Sequence, residues 1–148
     1  IAIAALFAAT GASAQVSLEN RVMEEVSIQS ENGPSTSIVP ATSMAPGDTA
    51  VYVMTYTNNG SEPASNLVIS NPVSKDVIYV GPAANSEAPV VSVDGGATFA
   101  PLSQLRVAES NGTTRPAGAA DVTNVRWTIA GPVAPGSNGS VSYKGTVR

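Results

Sequence analysis

The sequence predicts an all-β fold, a two-sheet antiparallel sandwich of about seven or eight strands. Short apolar segments that alternate with polar residues recur along the chain, as expected of strands with one buried face. The 148 residues include 13 Gly and 11 Pro, which favour turns. No segment of ten residues carries the spacing of a helix. Because one-sided strands need a second apolar layer, two packed sheets are the expected arrangement.

The first predicted strand covers residues 16–28. Its apolar residues fall mostly on even positions, which places them on one face of a strand. They are Val16, Leu18, Val22, Val26 and Ile28. Asn20 and Glu24 interrupt this face. A helix is the alternative, because three of these apolar residues are also four positions apart. The composition of residues 31–35 then predicts a turn.

The other predicted strands are shorter and follow at regular spacing. They cover residues 51–57, 67–70, 77–80, 90–93, 125–129 and 141–147. Residues 111–120 are small and polar, and we predict a loop there. The inward-facing positions of the strands give the predicted core, which is Tyr52, Met54, Tyr56, Trp127, Ile129 and Tyr143. With no Cys in the chain, Trp127 rather than a disulfide is expected to fill the space between the sheets.

Composition excludes several classes of function. The net charge is −4, so the chain lacks the basic face that nucleic acid or an anionic membrane would require. There is no Cys and no His. Thiol nucleophiles, the usual zinc sites and His-based acid–base catalysis are therefore unavailable. We expect a protein that is not an enzyme.

The N-terminus has the pattern of an export signal. Residues 1–9 read IAIAALFAA, and small residues follow up to Ala12-Ser13-Ala14. This predicts cleavage after Ala14 and a sequence that begins inside the signal. The apolar run is shorter than the roughly 20 residues of a membrane-spanning helix. The expected organisation is a signal peptide at 1–14, an N-terminal arm or first strand at 15–39 and the sandwich at 40–148.

Two blocks of residues resemble the bacterial surface-repeat family known as domain of unknown function 11. The first block runs from Pro46-Gly47-Asp48-Thr49 to Asn58-Asn59-Gly60 and on to residues 64–69 and 77–80; the second covers 125–129, 134–136 and 141–147. The resemblance implies an immunoglobulin-like sandwich on a bacterial cell surface, in the periplasm or outside the cell. It carries over no catalytic residues. The chain departs from the family at Asn71 and Pro72, in the longer segment 82–120, and in having one copy preceded by an arm.

Residues 92–99 resemble the Asp-box hairpin of sialidases and other secreted β-proteins. Asp94-Gly95-Gly96 forms its turn, and Phe99 stands where Trp is usual. The resemblance implies a structural turn, and a single copy does not indicate sialidase activity.

Candidate reactive and ligating groups are few. No cofactor is predicted; calcium is the ion that the acidic residues would suit, since Asp48, Asp76, Asp94 and Asp121 lie in or near turns. The alternative is that Asp48 and Asp94 bond their own turn backbones. Lys75 and Lys144 are the lysines that a Ser–Lys dyad would need. Glu24 and Glu25 are adjacent, so on a strand they face opposite sides.

Two functional hypotheses follow. The first is a structural or interaction module of the cell envelope or extracellular matrix, with protein partners that include other copies of itself. In its most specific form, the arm 15–39 donates a strand to a neighbour, with the five even-numbered apolar residues as plugs; the alternative is that it forms the first strand of its own module. The second hypothesis is a soluble, monomeric binding protein for a glycan or another envelope component.

Overall fold

The computed structural model describes residues 15–148 and confirms the all-β prediction. Ten strands form, in chain order β1 (Val16–Ser30), β2 (Gly33–Pro40), β3 (Thr49–Asn58), β4 (Val68–Pro72), β5 (Val77–Pro82), β6 (Val90–Ser92), β7 (Arg106–Ala108), β8 (Thr114–Pro116), β9 (Asn124–Thr128) and β10 (Asn138–Val147). Two single turns of 3-10 helix occur at Leu102–Gln104 and Ala119–Asp121. The predicted signal peptide, residues 1–14, lies outside the described residues.

The strands form two main sheets and a separate hairpin. The larger sheet has the order β2-β1-β3-β10-β5, and the smaller has the order β4-β9-β6. Strands β7 and β8 pair only with each other. All pairings are antiparallel. Three strands therefore pack against a sheet of five, and this difference in width leaves part of the larger sheet without a covering layer.

The core lies between the two sheets and is centred on Tyr143. Its ring stacks on Tyr52 of the neighbouring strand, with ring centroids 4.8 Å apart and planes 8° apart. Trp127, from the smaller sheet, lies 6.3 Å from the same ring. The Nδ2 of Asn71 donates to the Tyr143 hydroxyl at 3.1 Å. Burial raises the pKa of this hydroxyl above its ordinary value, so it stays protonated.

Three of the six predicted core residues are buried and three are partly buried. Met54, Trp127 and Tyr143 are buried. Tyr52, Tyr56 and Ile129 are partly buried and pack against them. The indole Nε1 of Trp127 donates to the Glu87 carbonyl at 2.9 Å, which satisfies the one polar group of that side chain.

Asn58 joins the end of β3 to two loops. Its side chain is fully buried, and its Nδ2 donates to the carbonyls of Glu62 at 2.8 Å and Val133 at 2.9 Å. Its Oδ1 accepts from the Gly60 amide at 3.0 Å. The Asn-Asn-Gly motif therefore does more than end a strand, because its first residue bonds backbone groups of two loops that also pair with each other between Ala64 and Val133.

Several sequence predictions were wrong. The helical alternative for residues 16–28 is incorrect, since β1 is a strand of 15 residues. Strand β2 was not predicted, and it begins inside the segment assigned to a turn. The predicted loop at 111–120 contains β8. Strand β7 (Arg106–Ala108) was not predicted either. The three missed strands have little apolar alternation, and each forms because a neighbouring strand supplies its hydrogen-bond partners.

Within residues 15–148, no helix is long and apolar enough to cross a membrane.

Candidate functional site

The N-terminal segment folds as a hairpin on the edge of the larger sheet. Strand β1 pairs with β3 from Val16 to Glu25, and with β2 from Met23 to Ser30. The last five residues of β1 therefore have β2 as their sole ladder partner. The predicted arm is thus two strands, of which the first joins its own sandwich and the second forms the sheet edge. The tip of the hairpin extends past β3.

The five apolar residues that the sequence placed on one face of β1 share that face with Asn20 and Glu24 and are here called the apolar stripe. It consists of Val16, Leu18, Val22, Val26 and Ile28. Leu18 pairs with Tyr56 and Val22 with Tyr52, so the stripe lies on the core-facing side of the sheet. Even so, Leu18, Val22 and Ile28 are 48%, 44% and 45% exposed. The smaller sheet buries the equivalent positions of β3 but leaves the stripe open to solvent.

The hairpin contributes nothing to the buried core. Every residue of the core cluster comes from residues 54–143, and the partly buried residues packed against it begin at Tyr52. No residue of β1 or β2 is buried. The sandwich body, residues 45–148, therefore holds its core cluster without a residue from the hairpin.

Polar contacts, rather than core packing, hold the hairpin to the body. The ladder with β3 supplies most of them. The ammonium group of Lys144 on β10 reaches across β3 to the carboxylate of Glu25, and both side chains are about a quarter exposed. The backbone N–H of Asn59 donates to the Gln15 carbonyl at 2.8 Å, and the side-chain Nδ2 of Asn59 donates to the Ser17 hydroxyl at 2.8 Å. One of the two lysines considered for a Ser–Lys dyad, Lys144, is thus engaged by a carboxylate.

The free edge of β2 offers few hydrogen-bond donors. The Ala41 amide donates to the Val22 carbonyl, so the odd-numbered residues of β2 bond to β1 and the even-numbered ones face away. Two of the four outward residues are Pro34 and Pro40, which have no amide hydrogen. Thr36 and Ile38 are left as the outward donors. A further strand can pair with this edge over a short stretch only.

The segment that resembles an Asp-box forms a hairpin turn after β6. Asp94 accepts hydrogen bonds from the Thr98 hydroxyl at 2.6 Å, the Thr98 amide at 3.0 Å and the Ala97 amide at 3.1 Å, and from the Ser92 hydroxyl at 2.6 Å. The hydroxyl bonds from Ser92 and Thr98 hold the pKa of Asp94 well below its usual range. Behind the turn, the Arg126 guanidinium lies 3.6 Å from the centre of the Phe99 ring. These contacts give the segment a structural role.

The four aspartates considered for calcium are not brought together. Asp48 accepts from the Ala45 amide at 2.6 Å, and Asp121 accepts two bonds from Arg115, each of 2.7 Å. The Arg115 guanidinium lowers the pKa of Asp121 to about 2. Over residues 15–148, no three His, Cys, Asp or Glu side chains are placed to share a metal ion.

A cleft of about 240 Å³ opens at one end of the sandwich, between the two sheets. Its walls include Tyr56, Glu87, Ile129 and Ser140. Glu87 is its one acidic side chain. The cleft does not hold the pair of carboxylates on which most glycosidases depend.

The fold and this hairpin define a β-sandwich that carries an uncovered apolar stripe at one sheet edge. No family model matches the chain, and no curated protein or solved structure matches it. The resemblance to the bacterial surface-repeat family stays a prediction.

Sequence periodicity found the stripe but not its exposure. The five residues could be read from the alternation along β1, whereas their solvent exposure depends on how many strands cover the larger sheet. The outward prolines of β2 and the contact between Glu25 and Lys144 were also missed. Both depend on a pairing register that no local pattern specifies.

Proposed function

We propose that this protein is a non-catalytic structural module of a bacterial envelope or extracellular matrix, and that it acts by associating with other copies of itself. The observation that carries the proposal is the apolar stripe. Three large aliphatic side chains are nearly half exposed on the side of the sheet that elsewhere faces the core. Exposed large apolar side chains on one face of a folded domain are typical of an interaction site.

A protein partner fits the chemistry of the stripe better than the alternative ligand, a glycan. Sugar-binding surfaces commonly use exposed aromatic rings, and the rings of Tyr52, Tyr56 and Trp127 pack in or against the core. The stripe is aliphatic. Aliphatic side chains on an extended strand suit the apolar side chains of another strand or sheet.

The test is the molar mass of residues 15–148 in solution, measured by light scattering with negative-stain imaging over a range of concentrations. We expect oligomers or fibres. The double substitution Leu18→Ser and Val22→Ser removes two stripe side chains that are about half exposed, which should weaken association by about 2 kcal/mol, or roughly 30-fold. The free monomer should retain its stability, because neither side chain is buried.

Val80→Ser is the matched control, since Val80 is a 57% exposed apolar residue on β5, at the other edge of the sheet. This variant should associate like the unmodified protein. A clean monomer at all concentrations, or equal weakening by the control, would overturn the proposal and favour a monomeric binding protein.

A further inference from the structure

We infer that the whole hairpin β1–β2 exchanges as a unit between copies of this chain, with residues 42–44 as the hinge. This inference rests on the proposed function, that copies of the chain associate, and it adds a second contact between them besides the apolar stripe: β1 of one copy on β3 of another. In the exchanged state, the hairpin of one molecule lies on the body of the next with the register that it has on its own.

The hairpin can separate from the body without opening the core cluster. The core cluster is confined to the body, and the hairpin is held by a backbone ladder and a few polar side chains. Separating it costs ladder hydrogen bonds and the contact between Glu25 and Lys144. It exposes no buried apolar residue of β1 or β2, because neither strand has one.

A second copy of this chain presents a surface that is complementary to the hairpin, because it has the same β3. Strand β1 meets β3 over ten consecutive register positions. A second molecule presents the same β3, the same Lys144 and the same Asn59. Exchange therefore remakes every contact that the hairpin had before, which is the condition for domain swapping at low cost.

The segment between the hairpin and the body, residues 42–44, can act as the hinge. The Ala41 amide is bonded to Val22, so residue 41 still belongs to the hairpin. Residues 45–48 belong to the body, because the Asp48 side chain accepts from the Ala45 amide and the Gly47 amide donates to the Val147 carbonyl at 2.9 Å. The segment between them makes no backbone hydrogen bond among the described residues. It can change direction while the parts on either side keep their structure.

Exchange of the hairpin is favoured over simple addition of a strand to the sheet edge because of the prolines on β2. The outer edge of β2 presents two prolines at positions that face a newcomer. Edge pairing there would leave much of the added strand without donors. Replacement of a hairpin on β3 has no such limit, because the ladder between β1 and β3 contains no proline.

The experiment uses the absence of native cysteine. Ser17 and Thr57 are register partners on the outer face of β1 and β3. In a hydrogen-bonded antiparallel pair, their Cα atoms are about 5.5 Å apart, which suits a disulfide. The single variants Ser17→Cys and Thr57→Cys are mixed, refolded together from urea and oxidised mildly. A disulfide between the two variants then requires the hairpin of one chain to lie on β3 of the other.

In the matched control, the Ser17→Cys variant is mixed with Thr128→Cys instead of Thr57→Cys. Thr128 is exposed on the smaller sheet and has no register contact with Ser17. Exchange predicts at least a tenfold higher yield of mixed disulfide for the Ser17 and Thr57 pair, read on a non-reducing gel with peptide mapping. Equal yields would overturn the inference.

Light scattering on the unmodified protein distinguishes association of copies, which is the proposed function, from exchange of the hairpin. Oligomers together with equal disulfide yields would mean that copies associate by their surfaces without exchange, so that the proposed function stands and the inference fails. Monomers together with equal yields would remove both. A specific mixed disulfide supports exchange, whatever the size of the assembly.

Discussion

Asn58 shows how one polar side chain can hold several segments in place. It is buried, yet each polar atom of its amide is used: two donated bonds reach loops on either side, and one accepted bond closes the turn at Gly60. A buried amide that is fully satisfied stabilises one arrangement of the loops around it, because any other arrangement would leave donors or acceptors unpaired. From sequence, this residue looked like the first letter of a turn motif.

We expect Asn58→Ala to destabilise the sandwich by about 3 kcal/mol, because it removes three side-chain hydrogen bonds and leaves a small void. Urea unfolding followed by Trp127 fluorescence will measure this, since Trp127 is the only tryptophan and is buried. Asn59→Ala is the control. Its exposed side chain makes one bond, to Ser17, and its loss should cost less than about 1 kcal/mol. Similar losses for the two variants would contradict the role assigned to Asn58.

Among the elements, β10 is the strand whose sequence is most constrained by its neighbours. It lies between β3 and β5 and has glycine at two positions that face the core side. At Gly139 the ring of Tyr56 occupies the space that a side chain would need. At Gly145 the space is taken by Val77, and the Ile78 carbonyl lies 3.2 Å from the position of a Cβ atom. The register also shifts between Lys144 and Gly145.

Gly145→Ala should therefore destabilise the protein by about 2 kcal/mol, because the added methyl group overfills a packed site. The measurement is again the free energy of unfolding in urea. Val77→Ala in the same chain removes the obstructing side chain. The double variant should then be more stable than the sum of the two single losses predicts. Strict additivity would show that Val77 is not the source of the cost.

The elements also differ in how well their sequences predicted them. Strands β9 and β10 alternate apolar and polar residues, and β3 contains a strand-length apolar run; the predicted ranges of all three differ from the observed ones by three residues or fewer at either end. Strand β2 reads GPSTSIVP and has little alternation. It is a strand because β1 is longer than β3 can pair, and the remaining length of β1 supplies a partner. Such a strand depends on tertiary context, which the local sequence does not encode.

For the whole molecule, two carboxylates outside the core link global stability to acid. Asp94 and Asp121 each have a pKa below the ordinary value of 3.8, through bonds that exist only in the folded state. Their contribution to stability is therefore fully present above about pH 3.8. It is lost as the pH falls through the folded-state values, about 2 for Asp121 and lower for Asp94.

We expect the urea midpoint to fall as the pH is lowered from 4 toward 2, and to fall less steeply in Asp94→Asn and Asp121→Asn. Asp76→Asn is the control, because the Asp76 carboxylate accepts no hydrogen bond from any of residues 15–148. It should keep the slope of the unmodified protein. An unchanged slope in all three variants would show that neither turn is responsible for acid sensitivity.

The class of fold could be predicted from the sequence as a whole, and the candidate site only in part. Alternation at strand length, abundant turn residues and the lack of helical spacing were sufficient for an all-β sandwich. The site required a comparison of two sheet widths, since Leu18 and Val22 are exposed only because three strands face five. That mismatch arises from which strands share a sheet, and no single segment contains the information.

The position of the hairpin along the chain has a consequence for the order of synthesis. A ribosome releases the N-terminus first, so β1 and β2 can pair locally before β3 exists. Strand β10, which occupies the other side of β3, is translated later than β1, β2 and β3. Under the proposed exchange, the hairpin is thus complete before its own body, and the finished body of another copy can receive it in that interval.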